Sequence, residues 1–275
     1  MSDFDYQKMF NLKNKVAVVT GGAGIIGEHF CNGLAQFGAD VAIIDTNIKK
    51  AADLASFLST KFGIRSISYS CDVSNPISVG STVTSILNDF SRIDILHNNA
   101  ASKSNDLESY FAPFEDYSLD QWNKIMSVNI NGMFLMAQSV GKSMVELGIK
   151  GSIIQTSSIY GVMAPDNRIY EGSNYLNRTI NTPAVYSVSK AAVIGLTNYL
   201  STYWAKQGIR VNTLTPGGVF SGQNKEFQDR YSSRIPLHRM ANASEIVGAL
   251  LYLASDASSY VTGHNLIVDG GLHVW

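Results

Sequence analysis

Two residues four apart, Tyr186 and Lys190 in Tyr-Ser-Val-Ser-Lys, place a phenol and an ammonium on one face of a helix. A free tyrosine titrates near ~10, so it serves as a base at neutral pH only where its anion is stabilised. A neighbouring cation does this at ~1.4 kcal/mol per pKa unit. The pair alone is what any solvated helix surface carries, and its weight comes from its company. Ser157 and Ser158 follow the apolar run Gly151 to Thr156, so their hydroxyls arrive at the carboxyl end of a strand. One of them can hold a substrate oxygen; the other use for such hydroxyls is to cap backbone.

A second constellation lies near the start of the chain. The run Thr20-Gly-Gly-Ala-Gly-Ile-Ile-Gly27 follows the apolar stretch Lys15 to Thr20. Glycines in such a strand-to-helix turn let backbone approach a pyrophosphate at a helix N-terminus, which makes Gly21, Gly24, Ile25, Ile26 and Gly27 candidate contacts. Asp45 ends the next strand, 18 residues after Gly27, where a carboxylate hydrogen-bonds ribose hydroxyls and repels a 2′-phosphate. Neither Thr46 nor Asn47 offers a cation, so NAD is expected over NADP. Asp72 and Val73 after the third strand, and Asn99 and Ala100 after the fourth, reach the same edge around an adenosine.

These residues need a scaffold, and the hydrophobic pattern supplies one. Strands are expected at Lys15 to Thr20, Asp40 to Asp45, Ser66 to Ser70, Ile93 to His97, Gly151 to Thr156, Arg210 to Leu214 and Asn265 to Val268. Helices alternate with them, including one long helix from Leu119 to Leu147 and another from Val185 to Gln207. The alternation predicts a single α/β domain over 1–275, a doubly wound parallel sheet of about seven strands in the Rossmann manner. Ser102 to Tyr117 and Gly161 to Pro183 break the pattern as long polar, aromatic loops.

Composition narrows the classes. With 45% hydrophobic and 16% charged residues, 275 residues can bury one large core. A net charge of −1 without a Lys/Arg stripe argues against nucleic acid. No stretch has the ~20 apolar residues of a membrane span, and Met1 to Asn14 has no apolar signal core, so a cytoplasmic protein without a membrane partner is expected. Cys31 and Cys71 have neither metal nor disulfide spacing, and no metal site is expected. His97 reads as a core histidine.

Taken together these motifs resemble the short-chain dehydrogenase/reductase family from about Leu12 to Leu272. The matching pieces are the glycine turn, Asp45, Asp72-Val73, Asn98-Asn-Ala, Asn129 in Val-Asn-Ile-Asn-Gly132, Ser158 in Ser-Ser-Ile-Tyr-Gly161, Tyr186 with Lys190, Pro216-Gly217 and Val268-Asp-Gly-Gly271. The resemblance implies hydride transfer between NAD(H) and an alcohol or ketone. In it Tyr186 exchanges the proton, and Ser158, three residues before Gly161, orients the reacting oxygen. Lys190 binds the nicotinamide ribose and lowers the Tyr186 pKa, and Asn129 holds a relay water. Pro216, Gly217 and Val219 lie over the nicotinamide, and a homodimer or homotetramer is implied, with the apolar tail Leu272 to Trp275 packing on a neighbour.

The chain departs from the family pattern in three ways. Ile25 stands where a glycine is usual, so the turn is expected to close differently or to hold cofactor less tightly. Ala101 also stands where a glycine is usual in the family, and Gly218 and Ser221 alter the stretch after Pro216-Gly217 that would cover the nicotinamide. Ser158 and Tyr186 are 28 residues apart, about twice the usual spacing, which marks 159–185 as an insertion. That insertion and a covering segment, 220–240, give Tyr160, Asn167, Arg168, Tyr175 and Arg234 as candidate contacts to a polar, sugar-like substrate. A purely surface or subunit-contact role is the other reading of the insertion. The cations of the covering segment hint at an anionic group, and the texture resembles members from bacterial surface-sugar and nonulosonic-acid pathways. An NAD-using epimerase or dehydratase, or a silent NAD-binding regulator, are the alternative functions.

Overall fold

Alternation along β1 (Val16–Thr20) sets the architecture: Ala17 and Val19 enter one apolar layer, and Val16 and Val18 the other. The computed structural model describes residues 5–102, 104, 106–175 and 178–275, with the side chains of 174, 175, 178 and 179 outside the description. Six further strands join β1: β2 (Asp40–Asp45), β3 (Ser66–Ser70), β4 (Ile95–Asn98), β5 (Ser152–Thr156), β8 (Arg210–Pro216) and β9 (Asn265–Val268). All are parallel, in the order β3-β2-β1-β4-β5-β8-β9. The short strands β6 (Asn174–Tyr175) and β7 (Arg178–Thr179) form a separate antiparallel hairpin inside the insertion.

Helices cover both faces, as a parallel sheet requires. Helices α1 (Ile25–Gln36), α2 (Ile48–Phe62) and α9 (Ala243–Ala254) bury Phe30, Leu34, Leu58, Ile246 and Leu250 on one side. Helices α3 (Pro76–Phe90), α6 (Met133–Glu146) and α7 (Ala184–Tyr203) bury Val83, Ile86, Met136, Val140 and Leu200 on the other. The result is a single doubly wound Rossmann-like domain. The order in which strands are added switches sides between β1 and β4, and in such sheets the crevice for ligands lies at the carboxyl ends of the strands at that switch point. Cys31 and Cys71 are free and buried.

Three elements differ from the sequence expectation. The helix expected from Leu119 to Leu147 is α5 (Leu119–Met126), a wider π-type turn (Ser127–Gly132) and α6. Such turns are uncommon and gather at functional sites, and this one carries Asn129. The loop Ser102 to Tyr117 contains α4 (Leu107–Tyr110), and Lys103 and Asn105 lie outside the described residues. The covering segment holds α8 (Lys225–Ser232), which starts where Asn224 accepts the Phe227 N–H at 2.8 Å.

Candidate active site

The glycine turn is tight because backbone crosses backbone in it. Gly21 has φ +62°, and a Cβ there would lie 2.9 Å from the Ala100 Cα. At Gly27 a Cβ would lie 2.1 Å from the Gly21 carbonyl oxygen. The Gly24 N–H closes the turn onto the Gly21 carbonyl at 3.1 Å, and α1 then starts at Ile25 with no side-chain cap. The N–H groups of its first turn, at Ile25, Ile26 and Gly27, therefore face the crevice as donors suited to a pyrophosphate. Ile25 is 60% exposed, so the missing glycine leaves an apolar side chain at the rim without preventing closure.

The carboxyl ends of β1, β2 and β4 are braced by Asp45 and Asn99, which the sequence singled out, and by Thr20, which it did not. Asp45 accepts the Ala23 N–H at 3.0 Å and the Asn47 N–H at 2.9 Å, which fixes its carboxylate while leaving lone pairs for ribose hydroxyls. Asn99 donates its side-chain amide to the carbonyls of Thr20 and Gly21 at 3.2 and 3.3 Å. The Thr20 hydroxyl accepts the N–H groups of both Asn99 and Ala100, so it ties β1 to the end of β4. Asp72 is exposed and accepts from Ser74, whereas Val73 is buried against Gly132. Gly217 hydrogen-bonds the Val268 carbonyl after Pro216, and Val219 is buried beside Ala241. A nicotinamide dinucleotide fits this set: donors at α1, a carboxylate at β2 and an ammonium beside β5.

Helix α7 begins just after Pro183 and carries Tyr186 in its first turn and Lys190 one turn on. The half-buried Tyr186 phenol comes beside Ser158, so the structure brings together two residues that the sequence held 28 apart. Ser157 is used otherwise: its hydroxyl donates to the Lys190 carbonyl at 2.6 Å, which leaves Ser158 as the serine of the site. Lys190 is buried and donates its Nζ to the Thr156 carbonyl at 2.9 Å; burial lowers its pKa to about 8.

The expectation that Lys190 depresses the Tyr186 pKa is not what this structure shows. Burial pushes the phenol up, the Ser158 hydrogen bond pulls it back only in part, and Tyr170 adds to the rise. The protein alone therefore keeps Tyr186 protonated at neutral pH, ready to donate. Asn129 is tied into the fold by its side chain. Its Oδ1 accepts the Ser102 N–H at 2.8 Å and its Nδ2 donates to Ser189 at 3.2 Å; Ser189 in turn donates to the Tyr186 carbonyl at 2.8 Å. The side chain pins the first turn of α7. Thr20, Thr156 and Ser189 were not singled out in the sequence; Ser189 sits inside the Tyr-to-Lys motif.

In the insertion, Tyr160 is half-buried and packs in one cluster with Tyr170. Asn167 and Arg168 are exposed, and Arg168 binds Asp166 through Nε at 2.9 Å and Nη2 at 2.8 Å. Arg234 reaches the same carboxylate at 3.1 Å. These bonds, Arg168 first, hold the Asp166 carboxyl down to about 2. Arg168 and Arg234 thus share one carboxylate and each has a partner within the protein. Asn177 and the side chains of Asn174, Tyr175 and Arg178 lie outside the described residues.

The covering segment clasps the insertion. Phe227 and Tyr231 of α8 pack with Ile169 and Tyr170, and Arg230 donates to the carbonyls of Arg168 and Glu171. Gly218 is explained by this contact, since a Cβ there would lie 2.3 Å from the Tyr231 ring. Trp275 donates its indole N–H to the Arg234 carbonyl at 2.7 Å, so the tail meets the covering segment with its ring 71% exposed. His97 is a neutral core residue: it bonds the Thr156 hydroxyl at 2.8 Å, meets Phe30 edge-on, and burial lowers its pKa to about 3. Among the described residues no helix is long and apolar enough to cross a membrane, and no cluster of His, Cys, Asp or Glu could hold a metal ion.

Comparison with known proteins places this site in a family. The family described as enoyl-(acyl carrier protein) reductase matches residues 21–273. Sorbose reductase of Candida albicans is 37% identical over 96% of this chain and 88% of its own length. D-Arabinitol 2-dehydrogenase (ribulose-forming) of Scheffersomyces stipitis is 35% identical over 99% of this chain and 100% of its own. A gluconate 5-dehydrogenase from Burkholderia cenocepacia, in complex with NADP and tartrate, superposes with a TM-score of 0.85 at 32% identity, covering 98% of this chain and 100% of that one. NAD+-bound xylitol dehydrogenase does so with 0.83 at 30% identity, covering 94% and 99%. The nonulosonic-acid resemblance finds no support in these relatives. The chain belongs to the short-chain dehydrogenase/reductase family, and it is an oxidoreductase that moves hydride between a CH–OH carbon and NAD or NADP.

Proposed function

We propose that the protein interconverts a neutral polyol and its ketose with NAD(H), with Tyr186 as general acid and base. The observation that carries this reading is the placement of Tyr186 beside Ser158, one helical turn from the buried Lys190 ammonium that is held on the Thr156 carbonyl. In the reductive direction Tyr186 donates its proton to the carbonyl oxygen while Ser158 holds that oxygen; in the oxidative direction the phenolate takes the carbinol proton. NAD(H) held against the Asp45 carboxylate, the α1 N-terminus and Lys190 would supply the hydride in the reductive direction and accept it in the oxidative one.

Two observations favour a neutral substrate. Arg168 and Arg234 are already paired with Asp166. The curated relatives reported above are named for sorbose and arabinitol, both neutral. Asp45 favours NAD over NADP because a 2′-phosphate beside it meets a like charge. On this reading 159–185 and 220–240 are the substrate-side elements. A dimer or tetramer is supported by the exposure of Leu119, Tyr199, Tyr203 and Trp275.

The test is a panel of D-arabinitol, xylitol, sorbose and gluconate with NAD(H) and NADP(H), followed by nicotinamide absorbance. Turnover of a neutral substrate with NAD(H) is expected. Turnover of gluconate alone overturns the substrate assignment. Cofactor binding without turnover on the panel returns the chain to the regulator reading.

A further inference from the structure

Lys190 is gripped by the end of β5. Ser157 donates its hydroxyl to the Lys190 carbonyl at 2.6 Å, and a Cβ at Gly161 would lie 2.6 Å from the Lys190 carbonyl carbon. The Lys190 Nζ in turn donates to the Thr156 carbonyl at 2.9 Å. The main chain and the ammonium of one residue are thus held by near neighbours on one segment. What fixes Thr156 therefore fixes the ammonium.

Thr156 is the last residue of β5 and lies one step past its ladder with β4, which ends at the pair of Asn98 with Gln155. The next N–H groups on the β4 side, those of Asn99 and Ala100, go to the Thr20 hydroxyl instead. There Thr156 is tied by its side chain, through the 2.8 Å bond between its hydroxyl and the His97 Nε2. His97 is wholly buried, with the Phe30 ring of α1 edge-on at 4.5 Å. Nothing else on this face calls for a polar pair: Ile95, Ile154 and Phe30 make it apolar. The His97 Nδ1 has no partner among the described residues. A buried ring nitrogen left unpaired is a cost that an aliphatic side chain would avoid, so the bond to Thr156 is what the imidazole contributes.

We propose that His97 and Thr156 are positioning residues for hydride transfer: their hydrogen bond fixes the end of β5, and through the Thr156 carbonyl it holds the Lys190 ammonium in line with Tyr186. The proposal rests on the acid and base reading above, in which Lys190 acts beside Tyr186 on the bound dinucleotide. Neither side chain touches the reacting atoms; both act through Lys190. Such placement matters, since a shift of about 1 Å set up away from the chemistry can cost about a hundredfold in rate. The effect falls on kcat rather than on substrate KM, because both side chains are buried beneath the strand ends.

The test compares wild type with Thr156→Val, Thr156→Ser and the double variant His97→Leu/Thr156→Val. Each is read for melting temperature, and for kcat and KM at saturating cofactor on the panel substrate that wild type turns over fastest, expected to be D-arabinitol. Thr156→Val keeps the side-chain shape but strands the imidazole; it is expected to melt below wild type and to lower kcat about tenfold with KM within about twofold. Thr156→Ser keeps the hydroxyl and is expected to return kcat to within about twofold of wild type. The double variant removes both polar partners, so its melting temperature is expected to recover while kcat stays about tenfold down. A merely structural pair predicts the opposite, recovery of kcat along with stability. That recovery, an unchanged kcat in Thr156→Val, or a loss that Thr156→Ser does not reverse overturns the assignment while the acid and base reading stands. Wild type inert on the whole panel, or turnover retained by Tyr186→Phe, overturns both.

Discussion

The two sides of the crevice are built on different terms. The nucleotide side, β1 to β4 with α1, is held by backbone: Gly21 and Gly27 press main chain on main chain, and Thr20 and Asn99 stitch the strand ends together. The substrate side, the insertion and α8, is held by side chains: Phe227 and Tyr231 against Ile169 and Tyr170, and Arg230 and Arg234 against the insertion. A backbone cradle tolerates almost no change and suits a ligand shared by a whole family. A side-chain clasp can be rewritten residue by residue and suits a substrate that varies.

That contrast can be broken where it is strongest. Gly27→Ala places a methyl 2.1 Å from the Gly21 oxygen and is expected to weaken NAD binding by about a hundredfold or more in calorimetry, the cradle having no room to relax. Binding within threefold of wild type would show that the turn is not rigid. Asp45→Ala should leave the fold intact and cut the ratio of NADP to NAD dissociation constants by about tenfold, the scale of one lost charge contact. An unchanged ratio would move cofactor choice elsewhere.

On the other side the expected effects are smaller. Gly218→Ala pushes the Tyr231 ring and is expected to raise the polyol KM about fivefold while NAD affinity holds, an overpacking effect confined to the clasp. A parallel loss of NAD affinity would show that the two sides are coupled. Arg234→Gln removes one of two arginines from Asp166 and is expected to change KM by less than about twofold, as Arg168 still holds that carboxylate. A tenfold change would make Arg234 a substrate contact after all.

Lys190 adds a pH signature. Its folded-state pKa of about 8 lies below the ~10.4 of an unfolded lysine, so between these values the unfolded chain holds a proton that the folded one has released. Stability contributed by this group therefore rises with pH across that window, and burial of the charge opposes folding below it. The melting temperature of Lys190→Met relative to wild type is expected to fall as pH rises from about 8 to 10. A flat difference would show that Lys190 is not desolvated.

The sheet was legible because each strand is a short apolar run and each helix repeats its apolar face, and β2, β3 and β9 have the bounds expected of them. The break at Ser127–Gly132 was not, since a π-type turn keeps helical side-chain periodicity and differs only in its hydrogen bonds. Ser158, Tyr186 and Lys190 could be chosen from motif register, and the structure brings the first two into contact. Thr156 and Ser189 could not, because their part depends on which carbonyl or amide a neighbouring strand presents. The pairing of Arg168 and Arg234 with one carboxylate was hidden for the same reason: the chain separates residues that α8 and the insertion bring together.

The most direct measurement is hydride transfer by Tyr186→Phe, read as nicotinamide absorbance with a neutral polyol, beside NAD affinity from calorimetry. A loss of about 10³-fold or more in turnover with NAD affinity unchanged is the expected result, since a phenyl ring fills the same space without a proton to exchange. Turnover that survives the substitution would contradict the account and place the acid and base on another residue.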